Sequence, residues 1–312
     1  MKQKQNVFEK FIGWIDRVQA GNRFLAFPFA VLKKYDDDEA NYQAALIAFY
    51  GFMSLFPILI VLTAVAQRVS AENYDLKDRI LDGVASYFPA LGPSLSESIQ
   101  TPSKAGLALL IGLLLMVYGA RGVADAVQHA LNHAWGIARY KRAGFPKNMF
   151  KSFGILFGGG FGLLLAAIIS GVATAKGQGL GMRIVLSVVS LVILYGVFWA
   201  VFTYGASTRH DTRTNLDGAL FATTGLQALQ LLGGYILNHQ LQTQTGLNAQ
   251  IAVILAVLFW LYLQARVLLY AIEINVVRYH RLHPRAIRND HPLPADKKAF
   301  ELYKEREKFI EE

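Results

Sequence analysis

The sequence predicts an all-α, polytopic membrane protein: six transmembrane helices, interfacial helices at the N-terminus and a cytoplasmic helix at the C-terminus. The first observation behind this is six long apolar runs, at residues 42–66, 105–122, 150–174, 184–204, 218–237 and 251–277. Each reaches the roughly 18–20 residues that a helix rising ~1.5 Å per residue needs to cross ~30 Å of hydrocarbon. The second is the placement of Lys and Arg between the runs, with twenty-three on one side and six on the other. Basic residues collect on the cytoplasmic side, so both termini are expected there, in agreement with an even number of spans. The net charge of +9 therefore reads as membrane topology and attraction to anionic headgroups rather than as a nucleic-acid surface. The third is the absence of cysteine, which excludes disulfides, thiolate metal sites and a cysteine nucleophile.

Taken in order, residues 1–41 form a cytoplasmic, interfacial segment. Val7, Phe8, Phe11, Trp14, Ile15 and Val18 recur at helical spacing opposite Glu9, Lys10, Asp16 and Arg17, the pattern of a helix lying on a membrane. No apolar core and small-residue cleavage site of a signal peptide follows. Phe24, Leu25, Phe27 and Phe29 continue the apolar face, with Pro28 breaking it, and Asp36–Glu39 reads as a solvated helix start before the first span. The outer loop 68–104 mixes apolar and charged residues between Pro89, Gly92-Pro93 and Pro102. It predicts short amphipathic helices, serving as a lid or as a packing element. The second run continues into an amphipathic stretch ending at Trp135. The basic tail 278–312 ends in a helix over 294–310, and His280 and His283 within it read as solvated.

Polar residues inside the runs are the candidate site. Arg121, Asp125 and His129 are spaced by four, with Gln128 and Asn132 widening the stripe. In the last run, Arg266 precedes Arg278 by twelve residues, about 18 Å of helix, which predicts a position near mid-bilayer. A lipid-facing Arg at that depth costs at least ~2.5 kcal/mol, so it should face protein or water. Glu273 shares its helical face and either joins the same cavity or reaches the inner interface. Thr223, Gln227, Gln230 and Gly234 stripe the fifth run. Together these predict a polar seam between spans two, five and six, either functional or structural.

Gly154, Gly158, Gly162, Ala166, Ser170 and Thr174 place a small residue at every fourth position of the third run, which favours close helix packing. His129 and His133 have the spacing of a zincin helix, but Ala130 stands where its Glu would be, and no metal or cofactor is expected. The Gly158-Gly159-Gly160 run lacks the strand before it and the Lys-Ser/Thr after it that a phosphate loop needs.

Several segments together resemble the YihY/BrkB family of bacterial inner-membrane proteins, once labelled ribonuclease BN. They are Ala44-Ala45 with Tyr50 and Ser54-Leu55-Phe56-Pro57; Ala130-Leu131-Asn132 with Trp135; Asp217-Gly218-Ala219; and Trp260-Leu261-Tyr262 with Leu268-Leu269 and Glu273-Ile274-Asn275. The order and spacing of these pieces, over about 40–278, carry the resemblance. The family's Gly-Ala before the span-six Glu reads Ala271-Ile272 here, and its Tyr-Gly ending the fifth loop reads Thr245-Gly246. The resemblance implies six spans in a bacterial inner membrane and an unsettled activity. The cytosolic His and Asp residues (His210-Asp211, His280, His283, His291) are scattered, against the dense cluster a metal-dependent nuclease needs. The expected reading is a non-enzymatic protein that binds or translocates a small anionic or lipid-like molecule; the alternative is an envelope scaffold. Membrane lipids are its expected partners, nucleic acid is not, and homo-oligomerisation is open.

Overall fold

A computed structural model describes residues 21–70, 106–144, 146–174, 179–208, 211–241, 247–287 and 292–309. The outer loop beyond Ser70, the first amphipathic stretch and Gly246 lie outside the described residues. Everything described is helix, short turn or connection.

Helix α1 (Arg23–Asp37) runs straight through Pro28, a departure from the expected break. Ala26, Ala30 and Lys34, spaced by four, are its buried face. Glu39, with a φ of 51°, ends it, and α2 (Ala40–Ser70) starts at once. Three antiparallel hairpins make the bundle. In the first, α2 meets α3 (Gly106–Ala134) so closely that a Cβ on Gly119 would lie 2.9 Å from Ser54 Cα, and one on Gly122 would strike the Tyr50 ring. In the second, α4 (Lys147–Gly154), a π turn (Ile155–Gly159) and α5 (Gly160–Thr174) form one rod, and α6 (Leu180–Gly205) packs back along it. In the third, α7 (Leu216–Leu241) lies on α8 (Leu247–His280) through Gly218, Gly225 and Gly233, which face Asn275, Val267 and Trp260. The hairpins close a ring, α2 touching α8, α7 touching α6 and α3 touching α4. Five of the six apolar runs, and residues 106–122 of the second, fall within these rods.

The π turn explains a detail of the small-residue stripe. Its wider turn shifts the helix register, so Gly162 meets Val197, the Ala166 carbonyl accepts the Ser190 hydroxyl (2.9 Å), and Gly159 faces Val201. Gly154 and Gly158, expected in the same packing, have open space where a Cβ would go.

One end of the bundle is capped by α1, α9 (Pro294–Arg306) and the loops after α3 and α8. The core gathers here, around Leu131, Trp135, Phe202, Leu269, Ile272, Val276 and Leu282. Two helices end at the cap in the same way. The Ile137 N–H reaches the Asn132 carbonyl and the Leu282 N–H the Val277 carbonyl (both 2.9 Å). The turning residues are Gly136 (φ 65°) and Arg281 (φ 53°), as a left-handed helix stop requires. Gly136 is needed twice over, because a Cβ there would press on the Leu302 carbonyl of α9.

Away from the cap the helices turn apolar side chains outward. Among the described residues, Lys147–Ala173, Leu180–Gly205 and Ile254–His280 are long and apolar enough to cross a membrane. Only 11% of the most apolar window of α6 is buried in the protein, so its Val and Ile side chains need a lipid neighbour.

Candidate functional site

The expected seam residues are dispersed over three polar places, with Gln227 and Gln230 apart from all of them. The first is the cap. Glu273, 2% exposed, is not in a cavity: its Oε2 lies 3.4 Å from Lys34 Nζ, which also bonds Asp38 and the Ala134 carbonyl. Arg306 closes on Asp38 at 2.9 Å. Beside this cluster, Arg285 is wholly buried between Asp296 (2.9 Å) and Asp37 (2.8 Å), with the Tyr303 hydroxyl donating to Asp37 at 3.1 Å. The Asp296 carboxylate also accepts the Ala286 and Leu293 N–H groups, at 2.9 and 3.0 Å. Burial alone would raise its pKa; the Ala286 N–H and the Arg285 guanidinium outweigh that and hold it below the usual 3.8. Burial pushes the nearby His133 imidazole down to about 4. Of Asp36–Glu39, Asp36 and Glu39 are exposed, as a solvated helix start requires, whereas Asp37 and Asp38 anchor the tail. His280 packs on Trp135 and Tyr279, and His283 on Phe27, rather than standing in solvent.

The second place is a groove of about 430 Å³ between α2, α3 and the start of α4, the candidate binding site. Gly122 lets α2 close on α3, and that approach sets Tyr50 and Leu46 along one wall. The polar wall carries Asp125, Gln128, His129, Asn132, Arg142 and Asn148. Asp125 pairs with Arg121 at 3.5 Å, both about two-fifths exposed, and accepts the buried Ser152 hydroxyl, which itself accepts the Gln128 amide at 2.6 Å. Asn132 Oδ1 takes the Ser207 N–H at 2.7 Å. Arg142 donates its Nε to the Ile137 carbonyl at 3.1 Å. Among the described residues no carboxylate lies within ion-pair distance of Arg142. The groove therefore combines a paired acid, a guanidinium without an acid partner, neutral amides and an apolar wall. Arg142 and Ser152 were not singled out from the sequence; their loop and helix come to α3 only through the tertiary fold.

The third place surrounds Arg266. Its guanidinium leans toward Tyr270 (3.2 Å to the hydroxyl), one turn further toward the cap, and sits 5.8 Å from the ring centres of Tyr35, Tyr262 and Tyr270. Tyr35 belongs to α1, so the guanidinium lies beside one of the helices of the cap. Gln227 and Gln230, half-buried on α7, join neither the groove nor the Arg266 cluster. Among the described residues, no three His, Asp or Glu side chains gather as metal ligands would.

Outward-facing apolar rods around a bundle with a polar cap define an integral membrane protein of the helical-bundle class. The chain belongs to the family described as virulence factor BrkB, whose sequence model matches residues 31–295. It is 24% identical over 270 residues to the "putative ribonuclease-like protein YfkH" of Bacillus subtilis, covering 82% of this chain and 96% of that one. It is 21% identical over 261 residues to the "inner membrane protein YhjD" of Escherichia coli, 76% of each. A "UPF0761 membrane protein" of Xanthomonas campestris is 25% identical over 313 residues, 93% of this chain and 68% of that one. No solved structure matches the chain. The segments that carried the resemblance are mostly helix crossings: Tyr50 on Gly122, Ser54 on Gly119, Gly218 on Asn275, Trp260 on Gly233, and Glu273 on Lys34. Ala271, in place of the family Gly, is fully buried with its carbonyl against Gly218, so the crossing stays tight.

Proposed function

We propose that the chain is a six-span protein of the bacterial inner membrane, with both termini and the capped end in the cytoplasm. In this reading the groove beside α3 binds or translocates a small anionic or lipid-like molecule. The observation that carries it is the amphipathic groove itself: Arg142 and the amides of Asn132 and Asn148 opposite Leu46 and Tyr50. Such a lining suits a charged headgroup on a short apolar body. Phe49, Met53 and Tyr118, all exposed on the same two helices, extend the apolar wall toward lipid. The asymmetry of Lys and Arg supports the orientation, and the name of the Escherichia coli relative supports the inner membrane.

The experiment is photo-crosslinking of a headgroup-labelled phospholipid to the protein in lipid nanodiscs, with Arg142→Gln and Asp125→Asn as variants. Labelling along α3 that falls at least about tenfold in Arg142→Gln supports the groove. Equal labelling of folded wild type and both variants removes it. A second reading, an envelope scaffold that moves nothing, is favoured by the closed ion network of the cap. It predicts a reproducible protein crosslink to the cap and no lipid labelling in the groove. We read the chain as non-enzymatic; RNA cleavage by the purified protein that disappears in Asp211→Asn would reverse that.

A further inference from the structure

Arg266 is a partly buried cation on α8. Among the described residues no carboxylate comes within ion-pair distance of it, and its Nε is buried with no hydrogen-bond partner. Around it stands a built frame. Tyr35 stacks on Tyr270 at 4.0 Å, and the Tyr35 and Tyr262 hydroxyls both donate to Asn41 Oδ1 at 3.2 Å. Three helices, α1, α2 and α8, thus fix the guanidinium in a ring of aromatic faces. Those faces attract a cation but do not neutralise it. The frame opens outward: Asn41 is exposed and the adjoining Tyr42 is 76% exposed.

We propose that this tyrosine-framed guanidinium is a binding site for the phosphate of an anionic glycerophospholipid of the cytoplasmic leaflet. Three features select that ligand. A guanidinium matches phosphate oxygens in geometry and charge. Among the described residues no carboxylate lies within ion-pair distance of the guanidinium, so its charge is left uncancelled for a net-negative lipid. In the orientation proposed above, contact with Tyr35 of the cap and with the start of α2 through Asn41 sets the charge at the depth where interfacial Tyr and Arg meet headgroups. The site rests on the membrane orientation proposed above but not on the groove, with which it shares no residue.

The test is thermal stabilisation of the detergent-purified full chain by added phosphatidylglycerol, phosphatidylcholine or inorganic phosphate. The expected result is a rise in Tm with phosphatidylglycerol that exceeds that with phosphatidylcholine and is absent with inorganic phosphate. Arg266→Gln should raise the half-saturating phosphatidylglycerol concentration at least about tenfold, and Tyr270→Phe by a smaller factor. Equal response of Arg266→Gln and wild type overturns the site; an equal response to inorganic phosphate makes it a soluble-anion site and overturns the lipid assignment. If Arg266→Gln does not fold, Tyr270→Phe and Tyr35→Phe decide, because both keep the charge, and an unchanged half-saturation in both overturns the proposal. Failure of the groove is read separately, through Arg142→Gln and Asp125→Asn.

Discussion

At the capped end, Lys34, Asp38, Glu273, Arg285 and Asp296 are all buried, and each lies within ion-pair distance of an opposite charge. Along the flank of the bundle, Arg121 and Asp125 are half-exposed, and Arg142 and Arg266 have no acid beside them among the described residues. The same residue types therefore do different work. Taking a charge out of water costs several kcal/mol unless a partner and hydrogen bonds replace the water, so the cap charges are bound to each other and hold the fold. A charge left open on one side keeps capacity for a ligand.

The largest effect should come from breaking the cap. Arg285→Ala leaves Asp296 and Asp37 without their buried guanidinium and should destabilise the protein by about 3–5 kcal/mol. Limited proteolysis should then cut the tail ahead of α9; a variant as resistant as wild type would mean that the network is dispensable. Next comes helix approach. Gly122→Leu forces a side chain into the Tyr50 ring, and overpacking of this kind costs about 1–3 kcal/mol. Its unfolding midpoint should fall while the tail stays protected, which separates bundle from cap.

Acid should weaken the cap. His133 is held near 4 against an ordinary 6.5, so between those values the unfolded chain takes up a proton that the folded chain does not. Stability then falls as pH drops from about 6.5 toward 4. Asp296, lowered from 3.8, contributes stability that is present above its ordinary value and lost as pH falls further. Thermal unfolding followed from pH 7 to 4 should show this decline, and His133→Gln should flatten its upper part; an unchanged slope would remove His133 from the account. The smallest effect belongs to Arg121→Ala. Its pair with Asp125 is exposed, so the loss should be under about 0.5 kcal/mol in the unfolding midpoint.

How much of this was legible in the sequence follows from chain separation. The apolar runs fixed where rods lie because helix length and hydropathy are local, and Gly218 and Asn275 were visible as motif pieces without their contact. The cap was not legible: Arg306 reaches Asp38 across 268 positions, and no local pattern marks such partners. Asp37 and Asp38 read as part of a solvated helix start because Arg285 and Arg306, which pair with them, arrive from the tail. The surroundings of Arg266 were hidden for the same reason, since Tyr35 of α1 and Asn41 of α2 frame its guanidinium from far along the chain. The small-residue stripe failed at Gly154 and Gly158 because one π turn changes the register, and nothing in the glycine spacing announces it.

The division between structural and binding charges is tested most directly by crosslinked lipid per folded molecule in Arg142→Gln, measured beside its unfolding midpoint in the same nanodiscs. The groove account predicts an unfolding midpoint like that of wild type and at least about tenfold less lipid on α3. A lowered midpoint with undiminished labelling would contradict it, making Arg142 one more strut of the fold.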